Sequence, residues 1–326
     1  MSVHIFTVSE ENYQICIDRG IVAIPEPKED SRNRNNIFDG LASRLAGVKE
    51  DDYIMMYVTK PAKQLRGVWQ VEGVPFYEET HVWPDRLYPF RCRIRWSPYS
   101  FTNFLSIDDI NDLCNSGKIW TWSLKRATGS NSMFSISDNE FQILLTEFAK
   151  INPFSTKKGI IRQPYPYHDA NIIKQLHIVD DKPKYEFTVM ALLSSAFSKK
   201  SFTDIFGDYS DFLCYVPTNL GKEMDFLLMY ANPANANQIV SYDIIEVKLD
   251  EFDEVALKQL ISYESWFLQK KVSGDSNMVR STAIAKSFSD DVIDYVSKRS
   301  RIENKPIKLL AYSYENERLT LTSVNS

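Results

Sequence analysis

The stretch Tyr242-Asp243-Ile244-Ile245-Glu246-Val247-Lys248-Leu249 decides how the second half of this chain is read. It reads as a buried strand, yet Glu246 and Lys248 stand two apart, so both side chains leave the same face. An ionised carboxylate inside a sheet costs several kcal/mol unless it is paired or ligates a metal. A surface strand with a same-face ion pair would also carry E-x-K, and the tripeptide alone does not separate the two. Upstream, EMDFLLMY has the same peculiarity: Asp225 is followed directly by the apolar run Phe226 to Met229. If the two strands are neighbours, Asp225 and Glu246 converge on one point. Two hard oxygen ligands there suit Mg²⁺, which takes carboxylates together with water and a phosphate oxygen. Lys248 is then placed to orient or help deprotonate an attacking water and to steady charge on a phosphorane.

Outward from this strand, the periodicity predicts a helix over 184–198 and strands near 212–216, 223–230 and 242–249. A helix near 254–270, a strand near 279–285, a helix near 289–298 and a strand near 307–314 follow. That order is an α/β arrangement around a mixed sheet. Glu186 in YEFTVMALLSSAF, Asp225, Glu246 and Lys248, then Gln259 and Tyr263 in ALKQLISYESWF form one ordered constellation. In that order it resembles the PD-(D/E)XK nuclease superfamily, and more narrowly its NucS-type and Mrr-like branches. The segment Val279 to Arg299 fits the late strand and helix of that branch. The resemblance implies a restriction-endonuclease-like mixed sheet flanked by helices. It makes Asp225 and Glu246 ligands for Mg²⁺, with Mn²⁺ able to substitute, and Lys248 the catalytic lysine. Glu186 would be an outer carboxylate and Gln259 a residue near the scissile phosphate. Met224 stands where the superfamily's name has proline, and Tyr263 is equally a residue that packs the helix on the sheet.

The first half alternates strand-like and helical patterns. His4 to Val8, Asp52 to Thr59, Gly67 to Val74 and Phe90 to Trp96 read as strands, and Glu10 to Asp18 as a short helix. In the fourth strand Arg91, Arg93 and Arg95 alternate with Cys92, Ile94 and Trp96, which puts the arginines on one face. Ser137 and Glu140 form a capping-box pattern before Phe141, Leu144, Leu145 and Phe148. The segments Ser9 to Pro25, Arg66 to Val74 and His81 to Trp96 resemble the PUA-like group, nearest its YTH and EVE branches, which bind one modified nucleobase in an aromatic cage. The resemblance implies a β-barrel with helices. It places Asn12 at the base-reading position, Val22 at the wall where YTH domains carry a tryptophan, with Ala23 beside it in the pocket, and Trp83 and Tyr88 at the other walls. Trp83 and Tyr88 serve equally as core, and Asn12 equally as a plain helix cap. The arginine face is either solvated charge or a set of DNA backbone contacts.

At 326 residues the chain is too long for one ordinary core. The expected division is a base-reading domain over 1–152, a proline-interrupted connector over 153–183 and a nuclease domain over 184–326. The formal net charge of −5 excludes a uniformly basic nucleic-acid binder but leaves room for a local stripe. No C-x-x-C pair, H-x-x-x-H pair or nucleotide-binding P-loop is present, and no apolar run approaches membrane-spanning length. The start MSVHIFTVSEEN lacks the pattern of a signal peptide, so a cytoplasmic location with reduced thiols is expected. The function the two resemblances imply is that of an α/β, Mg²⁺-dependent DNA endonuclease directed to modified, methylated DNA, as in modification-dependent restriction. One active site cuts one strand, so double-strand cleavage needs a homodimer or two encounters. Two rivals stay open: a repair nuclease acting on mismatched or branched DNA, and an RNA-binding protein with an inactive nuclease fold.

Overall fold

The apolar periodicities sort into two compact units in the computed structural model, Met1–Leu176 and His177–Ser326. Residues 2–122, 132–154, 159, 161–166, 168 and 170–324 are described. The first unit runs β1 (Val3–Val8), α1 (Glu10–Arg19), β2 (Ile21–Ile24), α2 (Arg34–Ala46), β3 (Tyr53–Val58), β4 (Gln64–Tyr77), β5 (Phe90–Trp96), β6 (Leu105–Ser106), α3 (Ile107–Asn115), β7 (Met133–Ile136) and α4 (Asp138–Ile151). Its sheet has the order β2-β5-β4-β3-β1-β7, with β6 attached to β4. β1 and β3 are parallel and the other neighbours antiparallel. Among the described residues no pairing joins the end strands β2 and β7 into the closed barrel that the resemblance implied. Ile5, Met55, Val68, Phe141 and Phe148 meet in the core on one side of this sheet. The reciprocal Ser137–Glu140 capping box starts α4, and Ser9 caps α1 by accepting the Asn12 N–H. Gly20 ends α1 at φ +68, where a Cβ would collide with Ile161.

The stretch expected as a connector is no free tether. The Gln163 N–H donates to the Asp18 carbonyl at 3.0 Å, and Ala170 exchanges backbone hydrogen bonds with Tyr77. Ile172 and Leu176 are buried. Prolines break the periodicity of this segment, but its apolar side chains still find the first unit's surface.

The second unit begins with the small hairpin β8 (Ile178–Val179) and β9 (Lys182–Pro183). It continues through α5 (Glu186–Ser198), α6 (Thr203–Phe206), β10 (Asp211–Pro217), β11 (Glu223–Asn232), β12 (Asn235–Val247), β13 (Glu251–Phe252) and α7 (Glu254–Lys270). β14 (Val279–Ala285), β15 (Ser287–Phe288), α8 (Asp290–Glu303), β16 (Ile307–Glu315) and β17 (Arg318–Ser323) complete it. The mixed sheet has the order β10-β11-β12-β14-β16-β17. β10, β11 and β12 form an antiparallel meander, whereas β12, β14 and β16 are parallel, with α7 and α8 as the connections. Val189, Leu193 and Phe197 of α5 pack on Phe226, Leu228, Ile245 and Val247, and α7 brings Phe267 against Tyr242. The architecture is therefore mixed α/β, with the β11–β12 pair near its centre. β12 starts at Asn235 rather than Tyr242. Its first half is exposed and polar, so it pairs with β11 through backbone bonds that leave no hydrophobic period.

Candidate functional site

The antiparallel register that sets Phe226 opposite Ile245 brings Asp225 beside Glu246. An Asp225 carboxylate oxygen accepts the Val247 N–H at 2.7 Å, fixing the acid at the end of the pair. Glu246 is fully buried. Its Oε1 accepts from Lys248 Nζ at 2.8 Å and from the Gln259 amide at 2.7 Å. Its Oε2, equally buried, has no hydrogen-bond partner. Lys248 Nζ also donates to the Val247 carbonyl at 2.8 Å and lies 3.4 Å from Glu186, which α5 presents in its first turn. α7 supplies Gln259, whose amide N–H also reaches the Tyr263 oxygen at 3.0 Å. Tyr263 is buried and donates to the Glu223 carbonyl at 2.8 Å, so it locks α7 onto β11.

Burial and then the facing Glu246 carboxylate push Asp225 well above the usual carboxylate range. Burial raises Glu246 to about 7, against the opposing pull of Lys248. For Lys248, burial disfavours the ammonium, but Glu246, Asp225 and Glu186 outweigh it and raise its pKa. The lysine therefore stands as a cation, suited to steadying phosphate charge rather than to abstracting a proton.

Among the described residues, no three His, Cys, Asp or Glu gather to hold a metal on protein groups alone. The donor set nonetheless fits Mg²⁺. It is all oxygen, and it contains a buried carboxylate oxygen without a partner, in a protein interior where such atoms are normally satisfied. Mg²⁺ takes one or two carboxylates and completes its shell with water and substrate phosphate. Asp225 and Glu246 are the residues that would hold it.

One functional candidate was not singled out from the sequence. Lys222, exposed in the turn before β11, donates from Nζ to Gln259 Oε1 at 2.9 Å. Nothing in its local pattern distinguishes it from any surface lysine.

In the first unit a cavity of about 230 Å³ is lined by Asn12, Ala23, Trp83, Asp85, Arg86 and Tyr88 among others. That is room for a flat ring system rather than for a larger ligand. The Trp83 and Tyr88 rings lie 5.0 Å apart at 46°. Asn12 donates to the Tyr88 oxygen at 2.9 Å and to Asp85 at 3.3 Å, and the Tyr88 hydroxyl donates to Asp85 at 2.7 Å. Asn12 is not the helix cap, because Ser9 fills that role. Cys16 also lines the cavity, and burial pushes its thiol up to about 12, so it is a wall and not a nucleophile.

Two expectations fail here. Val22 is not among the lining residues: it alternates with Ala23 along β2, so Ala23 faces the cavity while Val22 is fully buried opposite Cys92. Arg91 is not a DNA contact. It is 0% exposed, pairs with Glu78 at 2.6 Å, and donates to the carbonyls of Tyr88 and Thr80. Period two does set the three arginines on one face, but the 78–89 loop folds over the beginning of β5 and covers the first of them. Arg95 pairs with Asp51, and the Arg93 guanidinium lies 5.0 Å over the Phe76 ring; both remain partly exposed.

A second constellation invites a hydrolase reading. His4 Nδ1 is 2.8 Å from the Ser135 hydroxyl, and His4 Nε2 is 3.1 Å from Asp52. All three are buried and none lines the cavity. Asp52 also accepts the Ser2 and Lys49 N–H groups. The trio is a buried polar tie between β1, β7 and the residues that lead into β3.

No family model matches this chain, and a search of curated proteins finds no similar sequence. Among solved structures, it is similar to the human THYN1 protein in complex with 5-methylcytosine-containing DNA, at 8% identity and TM-score 0.32, over 45% of this chain and 97% of that one. It is also similar to the YTH domain of the Zygosaccharomyces rouxii MRB1 protein in complex with N6-methyladenosine RNA. There the identity is 15% and the TM-score 0.29, over 45% of this chain and 86% of that one. A third is EndoMS in its complex with double-stranded DNA, at 14% identity and TM-score 0.26, over 46% of this chain and 49% of that one. Likenesses this distant say nothing about activity.

Proposed function

We propose that this protein is a metal-dependent DNA endonuclease whose first unit directs cleavage to DNA carrying a modified, methylated base, as in modification-dependent restriction. The observation that carries the reading is Glu246. A carboxylate is held fully buried, with one oxygen bound by Lys248 and Gln259 and the other unpartnered, next to Asp225. A site of this kind is costly to the fold unless a ligand completes it. Mg²⁺ held by Asp225 and Glu246 would supply Lewis-acid polarisation of the phosphate and acidification of the attacking water. The chain's own groups do the remainder. The Val247 N–H and the Gln259 amide orient the two carboxylates, and the Lys248 ammonium offsets charge gathering on the phosphorane. Glu186 holds Lys248 in place. In the first unit, the cavity beside Asn12, Trp83 and Tyr88 accepts a base turned out of the duplex.

The test is a panel of methylated and unmethylated plasmids, with Mg²⁺, Mn²⁺ or EDTA. Cleavage of methylated plasmid in either metal is expected, and none in EDTA. Lys248→Ala, Asp225→Asn and Glu246→Gln should each lower the rate by about 100-fold or more, with unchanged circular dichroism. Wild-type cutting by Lys248→Ala would overturn the assignment. Methylation-blind cutting of mismatched duplexes would identify a repair enzyme instead.

A further inference from the structure

We infer that Lys222 is the phosphate-binding cation at the mouth of the Asp225–Glu246 site, engaging a non-bridging oxygen of the strand being cut; this rests on the nuclease reading above. Its backbone is held by a tight turn. The Thr218 hydroxyl and N–H both donate to the Lys222 carbonyl, at 2.6 and 3.2 Å, and the Leu220 N–H returns to the Thr218 hydroxyl at 3.2 Å. Gly221, at φ +75, lets the chain close that turn.

The side chain is exposed, but it does not wander into solvent. Lys222 Nζ donates to Gln259 Oε1, the Gln259 amide donates to Glu246 and Tyr263, and the Tyr263 hydroxyl donates to the carbonyl of Glu223. The circuit therefore closes on the residue next to Lys222. It ties the ammonium to the carboxylate that the nuclease reading assigns to the metal.

Charge supplies the rest of the argument. Lys248 is surrounded by Glu246, Glu186 and the Val247 carbonyl. Lys222, among the described residues, pairs with no carboxylate, and its partner is a neutral amide. With Lys248 committed to Glu246 and Glu186, Lys222 is an exposed cation beside the site that can meet a phosphate oxygen as the backbone approaches. A phosphate oxygen is a stronger partner for an ammonium than an amide carbonyl. The exchange strands no buried charge, because Lys222 is exposed and Gln259 keeps its bonds to Glu246 and Tyr263.

The experiment is single-turnover cleavage by the full chain across salt concentrations, comparing wild type, Lys222→Ala and Lys222→Arg. For Lys222→Ala, the DNA concentration giving half the maximal rate should rise about tenfold. The slope of its logarithm against log salt should shrink by about 0.9, the signature of one lost phosphate contact. Lys222→Arg should keep the slope. Since Lys222 lies in an exposed turn, thermal melts of all three should coincide. An unchanged slope for Lys222→Ala overturns the inference while leaving the nuclease reading intact. If wild type cuts nothing in any metal, the nuclease reading fails; equilibrium DNA binding across salt then tests Lys222 by the same slope.

Discussion

Asp243 lies two strands from the sheet edge, buried, with the Thr282 hydroxyl donating to it at 2.9 and 3.1 Å. Burial lifts its carboxyl from 3.8 to about 6, against the smaller opposing pull of that hydroxyl. The folded chain therefore holds this proton more tightly than the unfolded chain. As pH rises from about 4 to about 6 stability falls, and above that window the loss is complete. The gap corresponds to about 3 kcal/mol. Asp243→Asn keeps an acceptor for Thr282 and removes the charge. It should match wild type near pH 3.5, and near pH 8 it should be more stable by up to about 3 kcal/mol. For a unit of this size, that gain raises the melting temperature by roughly 6–12 °C. Urea denaturation followed across pH measures the difference directly. Glu246, raised to about 7, also costs stability as pH rises, but it is present in both proteins and cancels on subtraction. A difference that does not change with pH, or a variant less stable than wild type near pH 8, would refute the reasoning.

Two further outcomes follow from the first unit. Arg91→Met leaves Glu78 buried without its cation and should cost about 3–5 kcal/mol in urea melts, while the salt slope of DNA binding stays as in wild type. Unchanged stability with a slope reduced by about 0.9 would return Arg91 to the DNA. Tyr88→Ala removes one ring of the pair beside Trp83, worth roughly 1–3 kcal/mol of base stacking. Binding to methylated DNA should weaken about 5- to 150-fold with little change for unmodified DNA; equal losses on both would mean that no base enters the cavity.

The sequence exposed the second unit's site because its chemistry contradicts its surroundings. Glu246 and Lys248 interrupt an apolar strand, and a helix with Gln259 follows at once, so side-chain direction and order foretold the gathering the structure contains. Lys222 stayed hidden because a lysine in a glycine turn contradicts nothing. In the first unit, period two showed that Arg91, Arg93 and Arg95 share a face, but not that a loop distant from β5 in pattern, though not in chain position, covers the start of that face. The same limit applies to Val22. Counting residues to a family's wall position cannot tell which of two adjacent strand residues points inward, and Ala23 is the one at the cavity. α2 and the polar half of β12 escaped notice because neither carries a clean apolar stripe. Tertiary neighbours and backbone pairing decide both.

The buried Arg91 has an effect beyond stability. Its guanidinium grips the 78–89 loop near both ends, at Thr80 and at Tyr88, and lies 5.5 Å from the Trp83 ring; the Tyr165 hydroxyl braces Glu78 from the other side at 2.9 Å. The loop is thus pinned at its ends, while between them Asp85 and Arg86 reach the rim of the cavity, where Asp85 accepts from Asn12 and Tyr88 and Arg86 lies over the Tyr88 ring. A cavity anchored in this way can change which ring it admits by single substitutions. Each would alter chemistry at the rim while the geometry of the wall is inherited intact.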